Sequence, residues 1–102
     1  MNVASANPST AQTNTNLVAA SSQKIVKVRT VFISVDTAMT VTLENSTNHA
    51  TLLLRQYVDV NGGLALGPGD IDESMWTLTG EGIDYSTSVA GNVYIRVGFE
   101  QV

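Results

Sequence analysis

The chain has one histidine, His49, in the polar segment 44–50. Histidine is the side chain that most often acts as a general base near neutral pH, but it then needs a group that orients it and a reacting group within hydrogen-bond reach. The sequence places no such partner near His49. We therefore expect a solvated loop histidine, and the sequence predicts no catalytic residues and no enzyme activity.

Acidic side chains are concentrated in residues 70–84, where Asp70, Asp72, Glu73, Glu81 and Asp84 lie. Carboxylates in this number could bind Ca²⁺, or a pair of them could serve glycoside hydrolysis. The segment lacks the regularly spaced odd-position ligands of a calcium loop, and nothing fixes a catalytic pair. It favours a solvated acidic rim, with no metal site and no cofactor.

Aromatic side chains allow a binding surface as well as a core. Trp76, with the three tyrosines, could form a platform on which sugars stack, although a tryptophan between two turns is more often a core residue. Tyr94 and Arg96 have the same parity in the last predicted strand, on its outward side. Tyrosine and arginine are enriched at protein interfaces, so we expect Tyr94 and Arg96 to contribute to one.

Composition limits the classes of partner. The 102 residues suit one domain; the net charge is −4 with five basic residues, and cysteine is absent. Nucleic-acid binders normally concentrate many lysines and arginines on one face, so no nucleic-acid partner is expected. We also expect no membrane partner, because no apolar run is long enough to span a bilayer and no secretory signal is evident. The absence of cysteine excludes disulfides and thiolate zinc sites.

The first sixteen residues are nearly all small or polar and contain no charged side chain. Ordering them costs roughly 1–2 kcal/mol per residue, and burial of Val3 and Leu17 returns only about 3–6 kcal/mol. We therefore expect an extended arm over residues 1–16 that adopts its shape on neighbouring molecules, followed by a domain over residues 17–102. Val3, Pro8 and Leu17 are the arm-side interface candidates.

Residues 17–102 have the alternation of β-strands and no helical period. Residues 24–35 change phase, which indicates a bulge, and a turn at Asp36–Thr37 predicts a hairpin with residues 39–43. Further strands are predicted at residues 51–60, 64–66, 75–78, 83–89 and 92–102. For residues 71–79 the alternative to a strand at 75–78 is a single helical turn capped by Asp70. Seven or eight short strands separated by turns predict an all-β fold, an antiparallel β-sandwich or jelly roll with an extended N-terminal arm.

Residues 17–102 also resemble small β-sandwich virion structural proteins of tailed bacteriophages. The resemblance lies in the segment "VAASSQKIVKVRTVFISVDTAMTVTLENST" and in four later groups: Asn61-Gly62-Gly63, Trp76-Thr77, Gly80-Glu81-Gly82-Ile83 and Glu100-Gln101-Val102. It implies a non-enzymatic component of a virus particle. We expect such a protein to be made in the host cytoplasm and to lie on the capsid or tail surface of the virion.

Two functions agree with this resemblance. The first is a capsid decoration (cement) protein, a homotrimer that stabilises the head shell through its β-sandwich and its N-terminal arm. Its partners would be copies of itself and the major capsid protein or another virion protein. The second is a tail or head-fibre component whose aromatic side chains contact host surface glycans.

Overall fold

A computed structural model describes all residues 1–102, which form eight β-strands in two four-stranded antiparallel sheets. The strands are β1 (Asn2–Ala6), β2 (Thr15–Val18), β3 (Val26–Val35), β4 (Met39–Asn45), β5 (Leu52–Val58), β6 (Gly63–Leu66), β7 (Ile83–Thr87) and β8 (Val93–Gln101). Two 3-10 turns, Pro68–Asp70 and Glu73–Met75, lie between β6 and β7. None of the chain's helical segments has the length and apolar character needed to span a membrane.

The strand order is β1-β8-β3-β6 in sheet A and β2-β7-β4-β5 in sheet B. The first strand therefore pairs with the last, the second with the seventh, the third with the sixth and the fourth with the fifth. Eight strands nested in this way across two packed sheets form a jelly roll. The predicted all-β sandwich is confirmed.

The core lies between the two sheets and consists of 18 buried apolar residues. β8 shows how the sequence forms it: Val93, Ile95 and Val97 are at most 1% exposed, and the residues between them point outward. Side chains alternate between the faces of a strand, so this apolar period directs every second residue into the core.

β3 contains the predicted change of phase. Its register against β8 shifts between Val28 and Thr30. Val28 before the shift and Val31 after it are both buried, whereas Phe32 turns outward and is 44% exposed. The bulge thus keeps valines of opposite parity in one core and puts an aromatic ring on the outer surface.

The expected extended arm is not confirmed. β1 pairs with β8 in the same chain, and β2 with β7. Between them the Pro8 carbonyl accepts the Val93 N–H, and the Gln12 carbonyl accepts the Thr87 N–H. The expectation rested on the burial of large side chains alone. It did not include the backbone hydrogen bonds that β1 forms with β8 and β2 forms with β7.

Two local predictions are wrong. Residues 24–35 and 39–43 do not form a hairpin, because β3 lies in sheet A and β4 in sheet B. Asp36 lies at this crossing, where it accepts hydrogen bonds from the backbone and side chain of Asn92. Residues 75–78 form no strand: Asp72 caps the 3-10 turn Glu73–Met75 through the Ser74 N–H, and Trp76 makes a single bridge with Lys27.

Candidate functional site

The loop between β4 and β5 is held by the carboxylate of Glu81. This carboxylate accepts hydrogen bonds from the hydroxyls of Ser46 and Thr47 and from the backbone N–H groups of Thr47 and Asn48. Glu81 is 7% exposed. The pKa of Glu81 is lowered, chiefly by the hydrogen bond from the hydroxyl of Thr47. A carboxylate with this many donors is stabilised in its ionised form.

His49 lies in this loop and has a partner that the sequence did not reveal. Its Nε2 is 2.9 Å from Oδ2 of Asp84, and the other oxygen of Asp84 accepts a hydrogen bond from the side chain of Asn16. The hydrogen bond with Asp84 raises the pKa of His49. The prediction of a solvated loop histidine is therefore wrong in one respect: the ring is half-exposed but paired.

The polar groups around His49 bind one another. The hydroxyl of Ser86 donates to Glu44, whose side chain is buried. Every buried side-chain nitrogen and oxygen of the chain has a hydrogen-bond partner. In a catalytic triad the carboxylate orients the histidine, and the histidine is bonded to the hydroxyl that acts as the nucleophile. His49 and Asp84 form the first of these contacts, and no hydroxyl is bonded to the imidazole. This arrangement stiffens the loop and provides no acyl-transfer geometry.

The acidic residues 70–84 do not come together. Asp70 accepts a hydrogen bond from the backbone N–H of Gly67, and Asp72 caps the 3-10 turn Glu73–Met75. Glu81 accepts hydrogen bonds from the β4–β5 loop, and Asp84 pairs with His49. No three histidine, aspartate or glutamate side chains lie close enough to hold a metal ion. The carboxylates act here as caps and as acceptors within the fold.

The outward surface of sheet A has a different character. Phe32 of β3 faces Arg96 of β8 on one side and Ala65 of β6 on the other. Tyr94 lies two residues before Arg96 on the same side of β8. Its ring centroid is 6.0 Å from that of Phe32, and the two ring planes are inclined by 59°. Aromatic and arginine side chains thus share the middle of this surface.

A second group lies at the far end of the same surface. Lys27 pairs in register with Glu100 and makes an isolated bridge with Trp76. The Lys27 Nζ lies 4.3 Å from the Trp76 ring centroid, and Arg29 Nε lies 3.1 Å from Oε1 of Glu100. We call the surface formed by both groups the aromatic–basic face: Lys27, Arg29, Phe32, Trp76, Tyr94 and Arg96.

A groove of about 470 Å³ runs along this face beside β6. Its lining residues are Thr30, Val31, Phe32, Ala65, Leu66, Gly67, Tyr94 and Arg96. The groove on the outside of sheet B, by contrast, is lined by Arg55 and by hydroxyl and amide side chains, with no apolar residue. The two outer faces of the sandwich therefore differ in what they can bind.

The interface candidates from the sequence fall into two sets. Val3 is 48% exposed and pairs with Gly98, so it shares the outer side of sheet A with Tyr94 and Arg96. Pro8 lies in the connection between β1 and β2, and Leu17 lies in β2 and packs against the core. The fold brings three of the five candidates to one surface.

Sequence reasoning missed Phe32, Lys27 and Arg29 as surface residues of this face, and it favoured a core position for Trp76. Trp76 is half-buried, with Lys27 over its ring. The change of phase at the bulge was the sequence signal that could have placed Phe32 on the surface, since it reverses the direction of Phe32 relative to Val26 and Val28.

No protein-family model, no curated protein and no solved structure matches the chain.

Proposed function

We propose that the protein is a non-enzymatic structural component of a bacteriophage particle that decorates the capsid and binds through the aromatic–basic face. The observation that carries this proposal is the face itself. It has three of the chain's six aromatic side chains and three of its five basic ones, on a chain of net charge −4. Exposed tyrosine, tryptophan and arginine side chains contribute most of the binding energy at many protein interfaces.

Two further observations support a role on a particle. An eight-stranded jelly roll is common in viral capsid proteins, which is an analogy at the level of the fold. The resemblance of residues 17–102 to phage virion proteins is an analogy of the same kind, made at the level of the sequence. Neither depends on the geometry of a catalytic site.

The mechanism of such a protein is mechanical. Two packed sheets form a rigid body, and the outer side of sheet A is the binding surface. A partner that binds only the assembled shell stabilises that shell, and the free energy gained rises with the logarithm of its free concentration relative to its Kd. In this proposal the protein acts as a homotrimer, so that each trimer contacts several shell subunits.

The second candidate is a tail or head-fibre component that contacts host glycans. Phe32, 44% exposed beside Tyr94 in an open groove, favours it, because sugars bind next to aromatic rings. Jelly rolls are also common among lectins. The two candidates use the same surface and differ in the partner.

The test is to add fluorescently labelled protein to intact particles of the phage that encodes it and to image them. Decoration predicts label over the whole head shell and loss of that label in Phe32→Ala. Label at a single vertex or on a fibre would favour the second candidate. Failure of the wild-type protein to bind any part of the particle would overturn the proposal.

A further inference from the structure

We propose that the groove beside β6 is a binding site for a carboxylate carried next to an apolar side chain on a partner protein, with Arg96 as the carboxylate ligand. This inference rests on the proposed function, in that it names the chemistry of the partner that the aromatic–basic face recognises.

Arg96 is the cation of this face that has no partner. The chain forms two ion pairs, one between Arg29 and Glu100 and one between His49 and Asp84. Arg96 takes part in neither, donates no side-chain hydrogen bond within the chain, and is exposed. A guanidinium presents a planar fork of donors that fits a carboxylate in a two-pronged geometry. Its donors are free for a ligand from outside.

The walls around Arg96 are apolar. Phe32 lies directly across from it in the register of β3 and β8, and Tyr94 precedes it on the same side of β8. Ala65 and Leu66 of β6 complete the groove. An apolar side chain placed here leaves water on burial, while a carboxylate beside it reaches the guanidinium. The groove therefore fits a pair of adjacent groups, one apolar and one acidic.

Charge favours a foreign acidic partner over a second copy bound face to face. The aromatic–basic face has three basic side chains and two acidic neighbours. Glu100 is paired with Arg29, and Asp70 accepts the backbone N–H of Gly67 at the end of the groove. Apposing two such faces across a twofold axis would bring like charges together. A nucleic acid would need a denser row of cations than Lys27 and Arg96 supply.

The geometry of the rings favours a protein over a sugar. Stacking of a pyranose requires one flat aromatic surface, whereas the rings of Phe32 and Tyr94 are inclined by 59° and form two walls. The largest ring system of the face, that of Trp76, has Lys27 above it. The groove is shaped for a branched apolar side chain rather than for a sugar ring.

The experiment uses the isolated full-length protein and N-acetyl-leucine as the probe, followed by NMR chemical shifts. This compound carries one carboxylate beside one aliphatic side chain, and N-acetyl-leucinamide is its uncharged counterpart. We expect saturable shifts confined to Phe32, Ala65, Tyr94 and Arg96, with a dissociation constant on the order of millimolar. The amide should bind about tenfold more weakly, because it lacks the charged hydrogen bond.

Variants then assign the site. Arg96→Gln should reduce the affinity for N-acetyl-leucine to that of the amide, and Arg96→Lys should recover only part of it. Arg55→Gln is the matched control, since Arg55 is an exposed arginine on the outside of sheet B and should have no effect. Equal binding of acid and amide, shifts centred elsewhere, or an unaffected Arg96→Gln would overturn the inference.

Two further outcomes separate this inference from the proposed function. Saturable shifts of the same residues with lactose, without any with N-acetyl-leucine, would show a sugar site and overturn the carboxylate site. The titration needs no particle, so failure of the groove to bind the probe would overturn the carboxylate site without bearing on capsid decoration. A wild-type protein that binds the probe but binds no particle would count against capsid decoration alone.

Discussion

The Nε2 of His49 lies 2.9 Å from Oδ2 of Asp84, 35 positions later in the chain. This pair joins the β4–β5 loop to β7. The pKa of His49 is raised chiefly by this hydrogen bond, and the nearby charges of Asp84 and Glu44 add to the effect. The folded state therefore holds the imidazole proton more strongly than the unfolded state does, and folding stability depends on pH.

The first prediction concerns this pair. A raised histidine pKa contributes stability that is fully present below the unfolded value of about 6.5 and is lost as the pH rises through the folded value. His49→Gln should therefore destabilise the protein at about pH 6 and have a smaller effect at about pH 8. Urea unfolding of both proteins at the two pH values measures this, and a difference that is independent of pH would contradict it.

The second prediction concerns Glu81. Glu81→Gln replaces one acceptor oxygen by an amide donor that faces the donors of Ser46, Thr47 and Asn48, so the free energy of unfolding should fall by about 1–3 kcal/mol. The pKa of Glu81 is lowered, so its contribution is present above the unfolded value and is lost as the pH falls through the folded one. The exposed Glu73→Gln is the control in urea unfolding at neutral and acidic pH. An equal acid sensitivity of the Glu81→Gln variant and the wild type would argue against this role.

The third prediction concerns Gly82. A Cβ at this position would overlap the carbonyl oxygen of Val18, the last residue of β2, and would lie 2.7 Å from the Ala20 nitrogen in the backbone that follows β2. Gly82→Ala must push this backbone away and should cost roughly 2 kcal/mol or more. Gly69→Ala meets no atom within 4 Å and should be neutral. Thermal unfolding of the two variants compares them, and equal midpoints would show that the backbone yields without cost.

The fourth prediction concerns the first sixteen residues. Their deletion removes β1 and half of β2, which leaves the edges of β8 and β7 without their hydrogen-bond partners. We expect a loss of about 1–3 kcal/mol and faster amide exchange along β8, because the backbone bonds removed contribute about 1 kcal/mol each before entropy is subtracted. An unchanged urea midpoint with unchanged exchange along β8 would mean that the segment adds nothing to the fold.

The sequence alone determined the inward sides of β3 and β8. The alternation from Val93 to Phe99 predicts the buried face of β8, and the reversal after Val28 predicts the bulge in β3; both are observed. The sequence Asn61–Gly62–Gly63 is also typical of a tight turn with a positive φ, and Asn61 has a φ of 56°. These features are local, since the direction of a side chain in a strand depends on its immediate neighbours.

Only the tertiary structure decided which strands pair. Of the seven connections, only that between β4 and β5 joins hydrogen-bonded neighbours, and the others cross between the sheets. The pairing of Asn2–Ala6 with β8, of His49 with Asp84 and of Phe32 with Arg96 joins distant positions. A period of two specifies a face but not a neighbour, because any apolar strand face can pack on any other, and the choice depends on the summed free energy of all the pairings.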